Sequence, residues 1–445
     1  MSDTGREPVF LDGTEFHDRA ETPLNKPAVE PESAVIAEPP VEPEQAPHIE
    51  VHVIETREEY LEAVFAIEAG HGPIAIDAER ASGFRYSQRA YLIQVFRRGS
   101  GVFLFDPPAI GSLAELDAAI RDEEWVLHAA SQDLACLREV GLDPTRIFDT
   151  ELGARLAGLP RVGLGAVVED LLGIHLAKEH SAADWSTRPL PQSWLVYAAL
   201  DVELLPDLRD AMAALLDEAG KTEIASQEFS AVLLREAKVV TGEYWRRLSG
   251  LHTVRGARNL AVARELWEAR DAFAREIDTA PGRLVPDASL IAAAKVMPDS
   301  RHGLASLREF NGRASRSELP RWWAAVEAGR ITEDLPALRV ASDAIPPPRV
   351  WSDRNPEADR RLKAARAAIT LVSTEVDIPV ENVLTPELLR RLAWTPPQPL
   401  DLEGVRDRLV GLGARPWQVD VIAQVILDAF VDAIQTMEPG VKPVS

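Results

Sequence analysis

The sequence predicts an α/β domain, a mixed sheet with flanking helices, followed by two all-α helical modules. Three observations carry this expectation. Residues 73–107 hold three short β-rich apolar runs packed close together. After them the spacing alternates between helical and strand-like up to residue 150, and from about residue 189 to 436 the apolar pattern is almost wholly helical. Crowded strands read as an antiparallel meander, and the alternation after it implies a mixed sheet with helices on its faces.

The elements follow in chain order. Residues 1–50 carry 12 acidic and 3 basic residues with 8 prolines and no periodicity, which predicts a disordered acidic, Pro-rich tail over 1–48. One α/β domain is expected over 49–220. Its meander strands are "PIAIDAE" (73–79), "AYLIQVF" (90–96) and "GVFLFDP" (101–107). "SLAELDAAIRD" (112–122) has helical spacing and "WVLHAA" (125–130) reads as a strand. "SQDLACLREVG" (131–141) reads as a helix with Ser131 as N-cap and Gly141 as its stop, and "RIFDT" (146–150) as a further strand. Residues 194–219 form amphipathic helices, the second beginning at Pro206. A helical connector (221–254), a first helical module (255–330), a Pro-rich linker partly packed on its neighbours (331–357), a second helical module (358–436) and a tail (437–445) complete the chain.

Composition narrows the class. The 445 residues suffice for several domains, and a hydrophobic fraction of 46% is ordinary for globular protein. A single cysteine, Cys136, excludes an internal disulfide framework and a cysteine-based zinc site, and fits a reducing, cytoplasmic setting. The start "MSDTGREPVF" lacks a signal-peptide pattern, and no run of about 18 apolar residues predicts a membrane span. The net charge of −23 is unevenly spread: residues 51–210 hold 26 acids and 14 bases, whereas 238–330 hold 16 bases and 11 acids. An acidic module takes cations, and a basic one can hold phosphates.

Asp77 and Glu79 lie two apart at the end of an apolar strand, so they share a face. Two carboxylates there repel, unless water or a positive charge separates them. More acids follow. Asp133 lies after a strand at the start of a helix, a position the helix dipole favours by itself. Tyr197 and Asp201 are four apart on one helix face.

In order and spacing, "IDAE", "LHAASQD" and "YAALD" resemble the three motifs of the four-carboxylate 3′→5′ exonucleases with a tyrosine in the third motif. The segment "DWSTRPLPQSWLVYAALDVELL" (184–205) is similar to the ribonuclease D family, and residues 259–298 resemble its helicase-and-ribonuclease-D C-terminal (HRDC) module, with a second copy expected over 358–436. The resemblance implies a ribonuclease H-like exonuclease domain that hydrolyses phosphodiesters with two divalent metal ions, Mg²⁺ or Mn²⁺. Oxygen-only ligands suit such hard cations. It implies that Asp77 bridges both ions, that Glu79 and Asp201 complete one site and Asp133 the other, and that Tyr197 orients the attacking water. It also implies RNA 3′ ends as substrate, tRNA precursors by family analogy, with release of 5′-monophosphates.

Other residues have weaker claims. His128, Gln94 and Gln132 are candidates for contacts behind the ligands or to sugar and base; Lys178 and Arg188 are candidates for phosphate, against the plain alternative of structural pairing. In the first helical module Leu260, Ala263, Leu266 and Trp267 have core spacing, while Arg255, Arg258, Arg264, Arg270 and Arg275 are expected to meet an RNA backbone. All four acids and Tyr197 precede residue 202, so residues 238–445 are expected to be dispensable for cutting short strands. A DNA exonuclease and a non-catalytic RNA-binding protein on a nuclease fold are the alternatives; the complete residue set argues against decay.

Overall fold

The computed structural model describes residues 51–176, 183–235, 243–338 and 345–435. The two terminal tails expected from composition, and Lys178, lie outside the described residues.

Six strands form one mixed sheet: β1 (Val53–Ile54), β2 (His71–Arg80), β3 (Ala90–Arg98), β4 (Gly101–Phe105), β5 (Glu124–Leu127) and β6 (Arg146–Asp149), in the order β1-β4-β3-β2-β5-β6. The meander β2–β3–β4 is antiparallel, and β5 and β6 join β2 in parallel. The short β1 and the helix Arg57–Ala69, capped by Thr56, had no counterpart in the expected element list.

Strand alternation sorts the two faces. Ile74, Ile76, Ala78, Ile93 and Val95 share a core with Tyr60, Val64 and Ile67 of the helix Arg57–Ala69. On the opposite face Leu92, Leu104 and Ala81 pack with Leu195, Ala198, Ala199 and Tyr197 of the helix Gln192–Glu203, and with Trp185 and Trp194. Asp77 and Glu79 belong to this second face. Their strand is interrupted beside them. Glu79 pairs with Leu92 and Arg80 with Ala90, so Tyr91 is an extra residue in β3, a bulge.

The two helical modules attach differently. The first, built on the helices Ala257–Glu276 and Leu319–Ile331, has its own core around Leu260, Leu266, Leu290, Phe310 and Trp322. The second does not. Trp351, Leu362, Ile369, Trp417 and Phe430 belong to one continuous core with Leu156 and Leu208 of the α/β domain and Phe229 of the connector helix Thr222–Leu233. Polar contacts reinforce this seam. Arg415 makes two bonds, of 2.6 and 2.7 Å, to the buried Glu228, and the Trp417 indole donates to the same carboxylate. Lys221 Nζ donates to the carbonyls of Leu156 and Asp377. The expectation that residues 238–445 are dispensable for cutting short strands is therefore at odds with the packing. Residues 345–357, read from the sequence as linker, enter this second module, with Trp351 fully buried.

Candidate functional site

β2 delivers Asp77 and Glu79 to the face covered by the helix Gln192–Glu203. That helix starts after Pro191, buries Leu195, Ala198, Ala199 and Val202, and by its i, i+4 spacing presents Tyr197 and Asp201 together. Asp77, Glu79 and Asp201 each bring one carboxylate oxygen within 4.8 Å of the others.

Asp133 arrives by a different route and lies outside this triplet. The chain leaves β5 through a tight turn in which Ala129 takes φ +66°. The buried Asp149 carboxylate holds the turn, accepting from the amides of Ala129 and Ala130 while also capping the helix Thr150–Leu156 through Glu151 and Leu152. Asp133 then stands at the cap of the helix Leu134–Glu139 without making a capping bond. Ser131, expected in that role, lies outside the helix and is exposed. The Asp133 carboxylate is thus left for the neighbouring acids. Gly141 ends the segment as expected, at φ +86°.

The electrostatics show what such a cluster lacks. Burial first, then Asp77, Asp201 and Asp133, push Glu79 up to about 9. Burial and Asp77 raise Asp133 and Asp201 to about 8 each, the latter against a hydrogen bond from Tyr197 that lowers it. Asp77 is raised by burial. Tyr197 is raised well above its ordinary value by burial and by the charge of Asp201, to which its hydroxyl is bonded. Clustered, desolvated carboxylates with oxygen-only donors fit a hard divalent cation, whose charge would offset their repulsion.

Two residues missed in the sequence bear on this site. Arg80, next to Glu79, is a cation whose charge favours ionised Asp77, Glu79 and Asp133. Asp149 is the buried support of the Asp133 turn. A basic residue abutting the acid pair was a readable signal for the first; the role of Asp149 depends on the β5–β6 pairing.

The secondary candidates divide. Gln94 lies directly across from Asp77, is fully buried, and neither amide atom has a protein partner among the described residues. Gln132 is exposed beside Asp133. His128 bonds Thr150 through Nδ1 (2.9 Å), and burial lowers it to about 4, so it is a neutral structural histidine. Arg188 is spent on Asp106 (2.6 Å) and on the carbonyls of Trp185, Thr187 and Tyr91, which corrects the phosphate assignment in favour of structural pairing. Cys136 is buried in the core.

The basic module is corrected in the same way. Arg270 is buried and bonded to Val285 O and Asp287. Arg264 is largely buried and paired with Glu265 and Asp334. Arg258 bonds the carbonyls of Gly329 and Thr332, and Arg275 pairs with Asp271 and the Tyr86 hydroxyl. Arg255, exposed and bonded to the carbonyl of His252 three residues earlier, keeps the backbone-contact assignment best. Net charge overstated the surface because it counted cations whose partners lie within the fold.

Comparison with known proteins agrees with this geometry. Residues 51–217 match the 3′-5′ exonuclease family, 259–326 the HRDC domain, and 344–430 the 3′ to 5′ exonuclease C-terminal domain. The chain is 31% identical over 336 residues to ribonuclease D of Escherichia coli, covering 74% of this chain and 86% of that protein. Ribonuclease D of Pseudomonas paraeruginosa is 29% identical over 373 residues, covering 81% and 92%. Among solved structures, a protein from Bifidobacterium adolescentis superposes with TM-score 0.77 at 38% identity, over 85% of this chain and 96% of that one. E. coli RNase D superposes with TM-score 0.63 at 26% identity, over 87% and 99%. No helix among the described residues is long and apolar enough to cross a membrane. With Asp77 and Glu79 on a strand facing Tyr197 and Asp201 of the helix Gln192–Glu203, and with relatives matched along most of their length, the chain belongs to the ribonuclease D family and is a 3′-5′ exoribonuclease.

Proposed function

We propose that the chain trims the 3′ ends of structured RNA, tRNA precursors among them, releasing 5′-monophosphates with the help of two divalent cations, Mg²⁺ or Mn²⁺. The observation that carries the reading is the convergence of Asp77, Glu79 and Asp201 within 4.8 Å. The E. coli relative is described as an exoribonuclease involved in structured RNA processing, which supports the substrate class.

Asp77, Glu79 and Asp201 would hold one cation, and Asp77 with Asp133 the other. Such ions supply Lewis-acid stabilisation for the attacking and leaving oxygens of an in-line displacement. The protein's own groups do the rest. Tyr197 keeps its proton, because burial and neighbouring negative charge oppose ionisation, so it acts as a donor that orients rather than as a base. The amide of Gln94 offers a donor and an acceptor beside Asp77, within the site, to a water or to the terminal nucleotide. Gln132, at the exposed rim, is a further candidate for sugar or base.

The test uses 5′- and 3′-labelled single-stranded RNA, matching DNA, and a hairpin RNA with a 3′ extension, each with Mg²⁺, Mn²⁺ or EDTA. Stepwise 3′ shortening of RNA with monophosphate release, abolished by EDTA, is expected, with trimming of the extension on the hairpin. EDTA-resistant cleavage, or preference for DNA, would remove the assignment. Tyr197→Phe is expected to slow single-turnover cleavage roughly 10- to 100-fold, the worth of one hydrogen bond to a charged group. Its cation affinity should stay near wild type. Wild-type rates would make Tyr197 a packing residue.

A further inference from the structure

The first helical module was expected to grip RNA, yet most of its arginines are occupied. What it does hold is the loop that leaves the catalytic strand. Residues 81–89 begin two positions after Glu79 and return to the sheet at β3. The module meets this loop at several points. Ala280 N donates to Phe84 O (3.0 Å), Arg283 donates to Gly83 O (2.7 Å) and lies over the Phe84 ring, and Tyr86 donates to Asp271 (3.0 Å).

Asp278 is the centre of this contact. One carboxylate oxygen accepts from the backbone amide of Ser87 (2.9 Å), and the other from the Tyr91 hydroxyl (3.0 Å), with Arg89 3.7 Å away. Tyr91 is the bulged residue of β3, beside the Glu79–Leu92 pair. Its carbonyl is fixed from the other side by Arg188, which is anchored on Asp106. Bulges at the ends of sheets re-aim neighbouring side chains. The backbone that aims Glu79 is therefore gripped between the segment carrying Arg188 and a carboxylate from a module far along the chain. Asp278 takes φ +44° to make these bonds, a conformation Asp tolerates better than most residues.

We infer that Asp278 is a positioning residue for the nuclease site, acting through Ser87 and the Tyr91 bulge to fix the end of β2 that carries Glu79. On this reading the first module contributes to turnover by docking on the catalytic loop, whether or not it touches RNA. The inference rests on the exonuclease assignment for its kinetic readout.

The experiment compares wild type with Asp278→Ala, Asp278→Asn and Tyr91→Phe in the full chain. Substrate is a four-nucleotide RNA, and amide hydrogen exchange over residues 81–92 is followed in parallel. Asp278→Ala should lower kcat about 10- to 100-fold, the effect of a small misplacement of a catalytic group. KM should stay near wild type, and exchange should quicken in 81–92 while the first module's own core keeps its protection. Asp278→Asn, which still accepts from Ser87 N, should restore much of the loss. Tyr91→Phe should give a smaller loss that does not add fully to that of Asp278→Ala. Raised KM with unchanged kcat would make Asp278 a substrate contact and overturn the inference. Unchanged exchange in 81–92 would also overturn it, even if the wild type proved not to cut RNA. If Asp278→Ala fails to fold, Asp278→Asn and Tyr91→Phe decide by the same two readouts.

Discussion

Replacing Asp77 with alanine is expected to lower nucleotide release by about 10³-fold or more, the upper range for losing one stabilising group, while making the metal-free protein more stable. Both effects have one cause. Burial raises Glu79, Asp133 and Asp201, and Asp77 is the charge that adds to it at all three. Without a cation that repulsion is a cost, and removing Asp77 relieves it; with a cation bound, the same oxygen would be a ligand. The sign with pH follows. Glu79 near 9 and Asp133 and Asp201 near 8 lie above the unfolded value near 4, so the metal-free fold binds more protons than the unfolded chain between those limits. In this respect its stability should therefore be greatest at or below pH 4 and fall as pH rises from there towards 9. Thermal melts in EDTA at pH 5.5 and 8.5 should show the fall in wild type and a shallower one in Asp77→Ala. Saturating Mg²⁺ should flatten the wild-type dependence. Equal Mg²⁺ stabilisation of both proteins would remove Asp77 from the ligand set.

The second large effect concerns the seam with the C-terminal module. A chain ending at residue 338 is expected to lose cooperative unfolding and to aggregate, because Trp351, Trp417 and Phe430 share one core with Leu156, Leu208 and Phe229. Each large apolar side chain returned to water costs about 1.5–3 kcal/mol, and several are involved. The truncation also strands Glu228, only 5% exposed, without Arg415 and Trp417. Arg415→Ala isolates that last term and should cost about 3–5 kcal/mol, as expected when one partner of a buried pair is removed. Size-exclusion chromatography and near-UV circular dichroism report the outcome. A monomeric, cooperatively folding and active 51–338 fragment would show that the seam is dispensable.

Much of the site was legible because it is written in local periodicity. A strand puts Asp77 and Glu79 on one face, and a helix puts Tyr197 and Asp201 on one face, whatever the rest of the chain does. Asp133 could be placed only by the order of its motif, since its turn is fixed by Asp149 across the β5–β6 pairing. The bulge at Tyr91 and its tie to Asp278 span 187 residues of sequence, and no spacing rule reaches that far. The two helical modules looked alike in length and pattern. Apolar stripes say that a face is buried, but not whether its partner is the same module or the catalytic domain. Charge counts failed for Arg264 and Arg270 for a related reason, as their partners are acids and carbonyls of the same module and of the segment that follows it.

The shared core also has a consequence for biogenesis. The four site carboxylates are all translated before residue 202, but the helix Pro416–Gln435 that closes their domain's hydrophobic interior is made long after them. Vectorial synthesis normally lets an N-terminal domain fold while the rest is still being made. Here a polypeptide whose translation stalls before Pro416 carries all four site carboxylates on an unfinished scaffold, with an open apolar flank for chaperones and proteases to recognise. Competence to degrade RNA is thereby deferred until the helix Pro416–Gln435 has been made.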